Sequence, residues 1–100
     1  MVNIIDYIPY GHENAISRLK LKRLSGKDDR AMRVEIAKKR IEEKIPIVNL
    51  SDGNGYFIAT KEGKEYLERY VKQEEKRSKE AAKNAKACKK ILKEWEEENG

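Results

Sequence analysis

The sequence has almost no cysteine or histidine, the residues that form disulfides and Cys/His metal sites. Its 100 residues include one cysteine, Cys88, and one histidine, His12. A single chain therefore cannot form an internal disulfide, or a metal site built from Cys and His. This composition indicates a reducing, cytoplasmic setting, and we expect neither a metal nor a cofactor.

Long apolar runs are also missing. A helix that crosses a membrane needs ~20 mostly apolar residues, and residues 1–10 lack the basic start and apolar stretch of a secretory signal. We expect no membrane partner. The sequence has no Gly-rich phosphate loop, and its carboxylates lie mostly in Lys/Glu-rich segments where they are ordinary solvated charges. We therefore expect a protein that is not an enzyme and has no small-molecule substrate.

Charge is what the sequence has in abundance. Charged residues make up 41% of the chain and the net charge is +5. Between Ser17 and Arg40 there are ten bases and three acids. Phosphates neutralised by Lys or Arg release counterions, so this local excess favours nucleic acid as the partner.

Two helices are predicted within this basic stretch. Ser17 can cap a short helix, Gly26 can end it, and Asp28 can cap a second helix that runs to about Lys44. The short turn containing Gly is typical of a helix-turn-helix connection. Met32 and Ile36 are expected to pack inward against one or more of Leu19, Leu21 and Leu24.

A β-hairpin is predicted after the helix pair. Residues 45–50 and 56–59 are rich in β-branched and aromatic side chains, and they flank a polar loop containing glycine. Residues 3–8 are expected to form a short helix, and His12 to be exposed in the loop that follows. The predicted fold is mainly α with a small β-hairpin, an α+β domain over residues 1–60 followed by a long helix over 61–100.

The tail is predicted as one continuous helix from Lys61 to about Glu97, roughly 55 Å long at 1.5 Å per residue. Apolar and small side chains recur in it at alternating steps of four and three, a heptad seam. The candidate self-association residues of this seam are Leu67, Val71, Ala81, Ala85, Cys88, Leu92 and Trp95. Two readings stay open: a homodimeric coiled coil, preferably antiparallel, or a helix that folds back on the hairpin or frays in solution.

Four segments, 17–26, 28–36, 45–47 and Gly53-Asn54-Gly55-Tyr56, resemble the winged helix-turn-helix domain of biotin-operon-repressor-type regulators. Similar modules occur in small phage and prophage proteins of bacteria. The resemblance implies binding of double-stranded DNA, in regulation of transcription or in replication. The wing would consist of Asp52, Gly53, Asn54 and Gly55, and it lacks the Lys or Arg that family members often present there. Lys27 stands where the family usually has an apolar residue.

The candidate DNA contacts follow from the expected docking of the second helix in a groove. Arginine can bind guanine bidentately, and apolar side chains can touch the thymine methyl. The candidate base-reading residues are Arg30, Arg33, Val34 and Ala37. The candidate phosphate-binding residues are Lys20, Arg23, Lys27 and Lys38. The alternatives are that the two arginines are solvated helix charges, or that Val34, Ala37, Ile41 and the tail dock a protein partner in a nucleoprotein assembly.

Overall fold

The structure is a computed structural model that describes residues 3–50 and 53–99. As predicted, the chain is mainly helical with one two-stranded antiparallel sheet. Its helices and strands are α1 (Arg18–Ser25), α2 (Asp29–Glu42), β1 (Ile47–Leu50), β2 (Gly55–Ile58), α3 (Lys64–Glu75) and α4 (Lys79–Asn99). Short 3-10 helices span Ile4–Tyr7, His12–Asn14 and Lys61–Gly63, the first of them where a short helix was expected.

The predicted starts of α1 and α2 and the predicted end of α1 are confirmed by the structure. The Ser17 hydroxyl accepts from the Lys20 amide at 3.2 Å, and the Asp28 carboxylate accepts from the Ala31 amide at 2.7 Å. Gly26 ends α1 in the left-handed conformation, with φ of 70°, which glycine adopts without steric cost. These local interactions fix the turn between the two helices.

Of the three leucines of α1, only Leu21 is buried. Leu19 is 66% exposed and Leu24 is also exposed, so the expected packing holds for one leucine. Leu19 and Leu21 lie two residues apart and point about 200° apart around a helix with 3.6 residues per turn. They cannot both face the core. Met32 and Ile36 of α2 are buried in the same cluster as Leu21, as predicted.

The hairpin lies between two layers of helices. Strands β1 and β2 pair antiparallel, from Ile47 opposite Ile58 to Leu50 opposite Gly55. Alternate strand residues face opposite sides of a sheet, and here both sides are buried. Ile47 and Ile58 join the core with α1 and α2, while Val48 joins the core with α3 and α4. The sheet therefore connects the two helical layers.

The tail is two helices, which corrects the prediction of one continuous helix from residue 61. A long C-terminal helix is present as α4, but a turn at Lys76 and Arg77 separates it from α3. The Ser78 hydroxyl accepts from the Ala81 amide at 3.2 Å and caps the start of α4. Serine is one of the residues preferred at this position before a helix. Because the connection is so short, α3 and α4 run antiparallel as a helical hairpin.

The heptad seam is closed within the chain. Leu67, Val71, Ala85 and Cys88 are buried in one core, and Leu92 and Trp95 pack partly buried against it. Ala81 is half-buried beside a cleft that also reaches α2. A dimer through these residues would require the helical hairpin to open. In the described part of the chain, no helix is long and apolar enough to span a bilayer.

Candidate nucleic-acid interface

The outer face of α2 presents the first three candidate base-reading residues to solvent. Arg30 and Arg33 are exposed, and Val34 is 62% exposed. Met32 and Ile36 lie on the buried side of the same helix. The burial of one side leaves the N-terminal half of α2 open for contact with a groove, which is the part of a recognition helix that usually reaches base edges.

Asp29 of α2 forms ion pairs with two basic side chains of α1. Its Oδ2 lies 2.9 Å from Nη1 of Arg18 and 3.9 Å from Nζ of Lys22, both on α1. Arg33 also donates from Nε to the Asp29 carbonyl oxygen at 3.4 Å. The Asp29 carboxylate therefore faces α1 and forms ion pairs between the two helices.

Two of the candidate phosphate-binding lysines already have acidic partners. Lys27 Nζ lies 3.1 Å from Oε2 of Glu35, so the turn lysine folds back onto α2. Lys38 Nζ lies 4.0 Å from Oε2 of Glu42, one turn later. An ion pair lowers the net positive charge that a side chain can offer to phosphate, so Lys27 and Lys38 are the weaker candidates.

The other basic residues between Ser17 and Arg40 are either paired or buried, or exposed without an acidic partner among the described side chains. Lys39 pairs with Glu43 at 2.5 Å, and this hydrogen bond raises the pKa of Lys39. Arg40 is buried. Among the described side chains, no acid pairs with the four that remain. They are Lys20, Arg23, Arg30 and Arg33. All four are exposed, and they carry the positive charge that the candidate interface has available.

Ala37 occupies a different position from the other three base-reading candidates. It is half-buried and lines a cleft of about 460 Å³ between α2 and the helical hairpin. Arg33 and Ile41 line the same cleft from α2, and Lys83 lines it from α4. The C-terminal half of α2 therefore lies closer to α4 than Arg30 does, and Arg33 stands at the boundary between the cleft and the open part of α2.

Arg40 is the structural residue that the sequence prediction missed. Its Nε donates to the Ile47 carbonyl oxygen at 2.6 Å, and its Nη1 donates to Asn84 Oδ1 at 3.3 Å. Burial raises the pKa of the neighbouring Tyr70 hydroxyl, and burial raises the pKa of the Cys88 thiol to about 11. Arg40 is thus the positive charge of a buried polar cluster. Its spacing of four from Ile36 places it on the buried side of α2, a signal present in the sequence.

The wing contains one position that only glycine can occupy, and it lies near the half-buried His12. Asp52 lies outside the described residues, while Gly53 and Asn54 are exposed. Gly55 has φ of 102°, and a Cβ there would lie 2.0 Å from the Ile16 carbonyl oxygen, so this position requires glycine. The loop residue His12 is half-buried and stacked on Tyr66 with ring centres 4.3 Å apart, contrary to the expected exposure.

The chemistry of this surface is electrostatic. Within residues 3–50 and 53–99, no three His, Cys, Asp or Glu side chains come together in a way that could hold a metal ion.

Comparisons of the chain with protein-family models, curated proteins and solved structures found no match. Any function of this chain is therefore inferred from its own residues.

Proposed function

We propose that the chain binds double-stranded DNA through α1 and α2, as a cytoplasmic regulator or replication accessory protein of bacterial or phage type. The observation that carries the proposal is the set of exposed bases without an acidic partner among the described side chains, Lys20, Arg23, Arg30 and Arg33. They lie on a helix pair followed by a β-hairpin, the order of elements in a winged helix-turn-helix. This order and this charge support the same partner.

The proposed mechanism separates positioning from reading. Lys20 and Arg23 on α1 bind phosphate oxygens, which sets the position of the protein on the duplex but carries no sequence information. Arg30 and Arg33 enter the major groove with the N-terminal half of α2 and donate to guanine O6 and N7. Val34, exposed between them and Ala37, contacts a thymine methyl. The wing contributes little, because Gly53 and Asn54 carry no charge.

Selection of binding sites from random duplex DNA tests this mechanism. The wild-type chain should enrich a preferred sequence, and replacing both Arg30 and Arg33 with Gln should abolish that preference. A matched control replaces Lys72 of α3 and Lys76, which follows α3, with Gln, which removes the same charge away from the proposed interface. Unchanged discrimination by the Arg30/Arg33 variant would refute base reading by α2.

A second candidate function is docking of a protein partner, and the exposed apolar side chains favour it. Leu19, Leu24, Val34 and Ile41 are all exposed in this chain. Salt separates the two functions, because binding to phosphates weakens steeply as salt rises whereas apolar contact does not. The ten-to-three excess of bases in residues 17–40 makes DNA the better supported partner.

A further inference from the structure

One side of α4 consists of lysines at heptad spacing. We call it the lysine face, and its residues are Lys79, Lys83, Lys86, Lys90 and Lys93. Steps of four and three keep these side chains within about 80° of one another around a helix of 3.6 residues per turn. All five are exposed, and none has an ion pair with an acid whose side chain the structure describes.

The lysine face points directly away from the core. Ala85, Cys88 and Ile91 form the buried side of α4 and are centred about 180° from the lysines around the helix. Lys89, which lies outside the face, pairs instead with Glu75 of α3. Among the acids of α4 whose side chains the structure describes, none forms an ion pair with the five lysines.

This positive surface adjoins the proposed DNA interface. Lys83 lines the 460 Å³ cleft together with Arg33 of α2. It also lines a second groove of about 260 Å³, in which Lys86 and Lys90 lie opposite Ile41 of α2 and Lys44, which follows α2. Lys44 is held towards α4 by an ion pair with Glu94 at 3.1 Å. Lys83 of the lysine face thus lies beside the exposed Arg33 of α2, and Lys86 and Lys90 lie farther along α4, beside the C-terminal end of α2.

We infer that the lysine face binds the phosphate backbone of the same duplex, beyond the site contacted by α2; this inference rests on the proposed function. Lys83 and Lys90 are seven residues apart, about 10 Å along a helix. One DNA strand presents a phosphate about every 3.4 Å of its axis, so this span matches roughly three phosphates. The contacts extend the bound length of DNA and contribute affinity without sequence preference.

An anionic membrane is the other polyanion that could attract these lysines, and the burial pattern disfavours it. A helix that lies in a membrane interface inserts an exposed apolar side. In α4, the apolar residues Ala85, Cys88 and Ile91 are covered by the core. The lysine face itself carries only charged side chains, which suits a phosphate backbone.

The test compares two triple variants of the full chain by their binding to duplex DNA over a range of salt. The first replaces Lys83, Lys86 and Lys90 with Gln. The control replaces Lys64, Lys72 and Lys76, which removes three charges from α3 and its C-terminal end. Every replaced side chain is exposed, and circular dichroism melting confirms that both variants are folded.

The first triple variant should show a plot of log Kobs against log salt that is shallower by about 2.7, at ~0.9 per lost phosphate contact. The control should keep the wild-type slope, and both should keep the wild-type sequence preference. Shortening the duplex to the site contacted by α1 and α2 should lower the affinity of the wild-type chain for DNA. The affinity of the first variant should stay nearly unchanged. These results would support phosphate binding by the lysine face.

Other outcomes overturn the inference in distinguishable ways. A wild-type slope in the first variant, or an equal loss in the control, would refute contacts by the lysine face while leaving DNA binding by α2 intact. Binding of wild type to phosphatidylserine vesicles, lost in the first variant, would assign the face to lipid instead. Failure of the wild-type chain to bind any duplex would refute both this inference and the proposed function.

Discussion

The guanidinium carbon of Arg40 lies 4.7 Å from the centre of the Tyr70 ring. This contact joins α2 to α3, and the same arginine donates hydrogen bonds to β1 and to α4. A cation over an aromatic face is attracted by the negative potential of the ring. One buried side chain thereby fixes the orientation of the proposed reading helix relative to the helical hairpin that carries the lysine face.

Replacing Arg40 with Met should destabilise the protein severely. The substitution leaves the Ile47 carbonyl and the Asn84 side chain without a buried donor, and removing one partner from a buried charged cluster typically costs about 3–5 kcal/mol. Urea unfolding measures the loss. Lys38→Met, on the exposed side of the same helix, is the control and should change the free energy of unfolding by less than about 0.5 kcal/mol. Equal effects of the two substitutions would contradict the structural role of Arg40.

Two glycines of the hairpin should respond differently to alanine. Both have positive φ, 83° at Gly53 and 102° at Gly55, so Ala at either position costs about 1–2 kcal/mol of backbone strain. A Cβ at Gly53 would meet nothing within 4 Å, whereas one at Gly55 would collide with the Ile16 backbone. Gly55→Ala should therefore cost a further ~1–3 kcal/mol by urea unfolding. Similar losses in both variants would disprove the close approach of β2 to Ile16.

Alkaline pH should weaken the fold through Cys88. Burial raises the pKa of this thiol from 9.0 to about 11, so the folded state keeps a proton that the unfolded state releases. The stabilisation is complete below pH 9 and is lost as the pH rises to 11, by up to ~1.4 kcal/mol per pH unit. The raised pKa of Tyr70 adds to this loss above pH 10.

Urea unfolding at intervals from pH 8 to pH 11 checks this dependence. Cys88→Ala lacks the thiol, so its stability should fall less steeply than wild type between pH 9 and pH 10. Tyr70→Phe should retain the wild-type slope in that interval and lose part of it only above pH 10. A Cys88→Ala slope equal to that of wild type would show that the thiol is not the group responsible.

Removing the Asp29 carboxylate should strengthen DNA binding. Asp29→Asn releases Arg18 and Lys22 from their ion pairs and takes a negative charge from the interface. Electrophoretic mobility shifts at fixed salt should show tighter binding, with a salt slope steeper by ~0.9 for each new phosphate contact. Glu62→Gln makes the same charge change near His12, away from α2. An equal gain from Glu62→Gln would mean that net charge alone controls affinity.

Local signals in the sequence predict the first half of the fold well. Ser17 and Asp28 begin helices through hydrogen bonds to amides only three residues away, and Gly26 ends a helix through its own backbone conformation. Such interactions depend on neighbouring residues, so the sequence specifies them directly. The hairpin follows for the same reason, since its apolar strands and its turn glycines lie within a short segment.

The tail and the available charges could not be predicted in the same way. Heptad periodicity identifies a side that must be covered, but not whether the covering helix belongs to the same chain. Here Leu67 and Ile91 lie in one core within one chain, because Ser78 starts a new helix that returns along α3. Likewise, the sequence gives no indication that Lys27 pairs with Glu35 while Arg30 remains exposed, because an ion pair depends on where the folded backbone places both side chains.

The salt dependence of wild-type binding to duplex DNA tests the central claim most directly. If Lys20 and Arg23 contact phosphates and Arg30 and Arg33 enter the groove, log Kobs should fall linearly with log salt. Two phosphate contacts predict a slope of about −1.8. Contacts by the lysine face would make the slope more negative. Absence of binding at low salt, or affinity that does not change with salt, would contradict the proposal that this chain binds DNA through its basic helix pair.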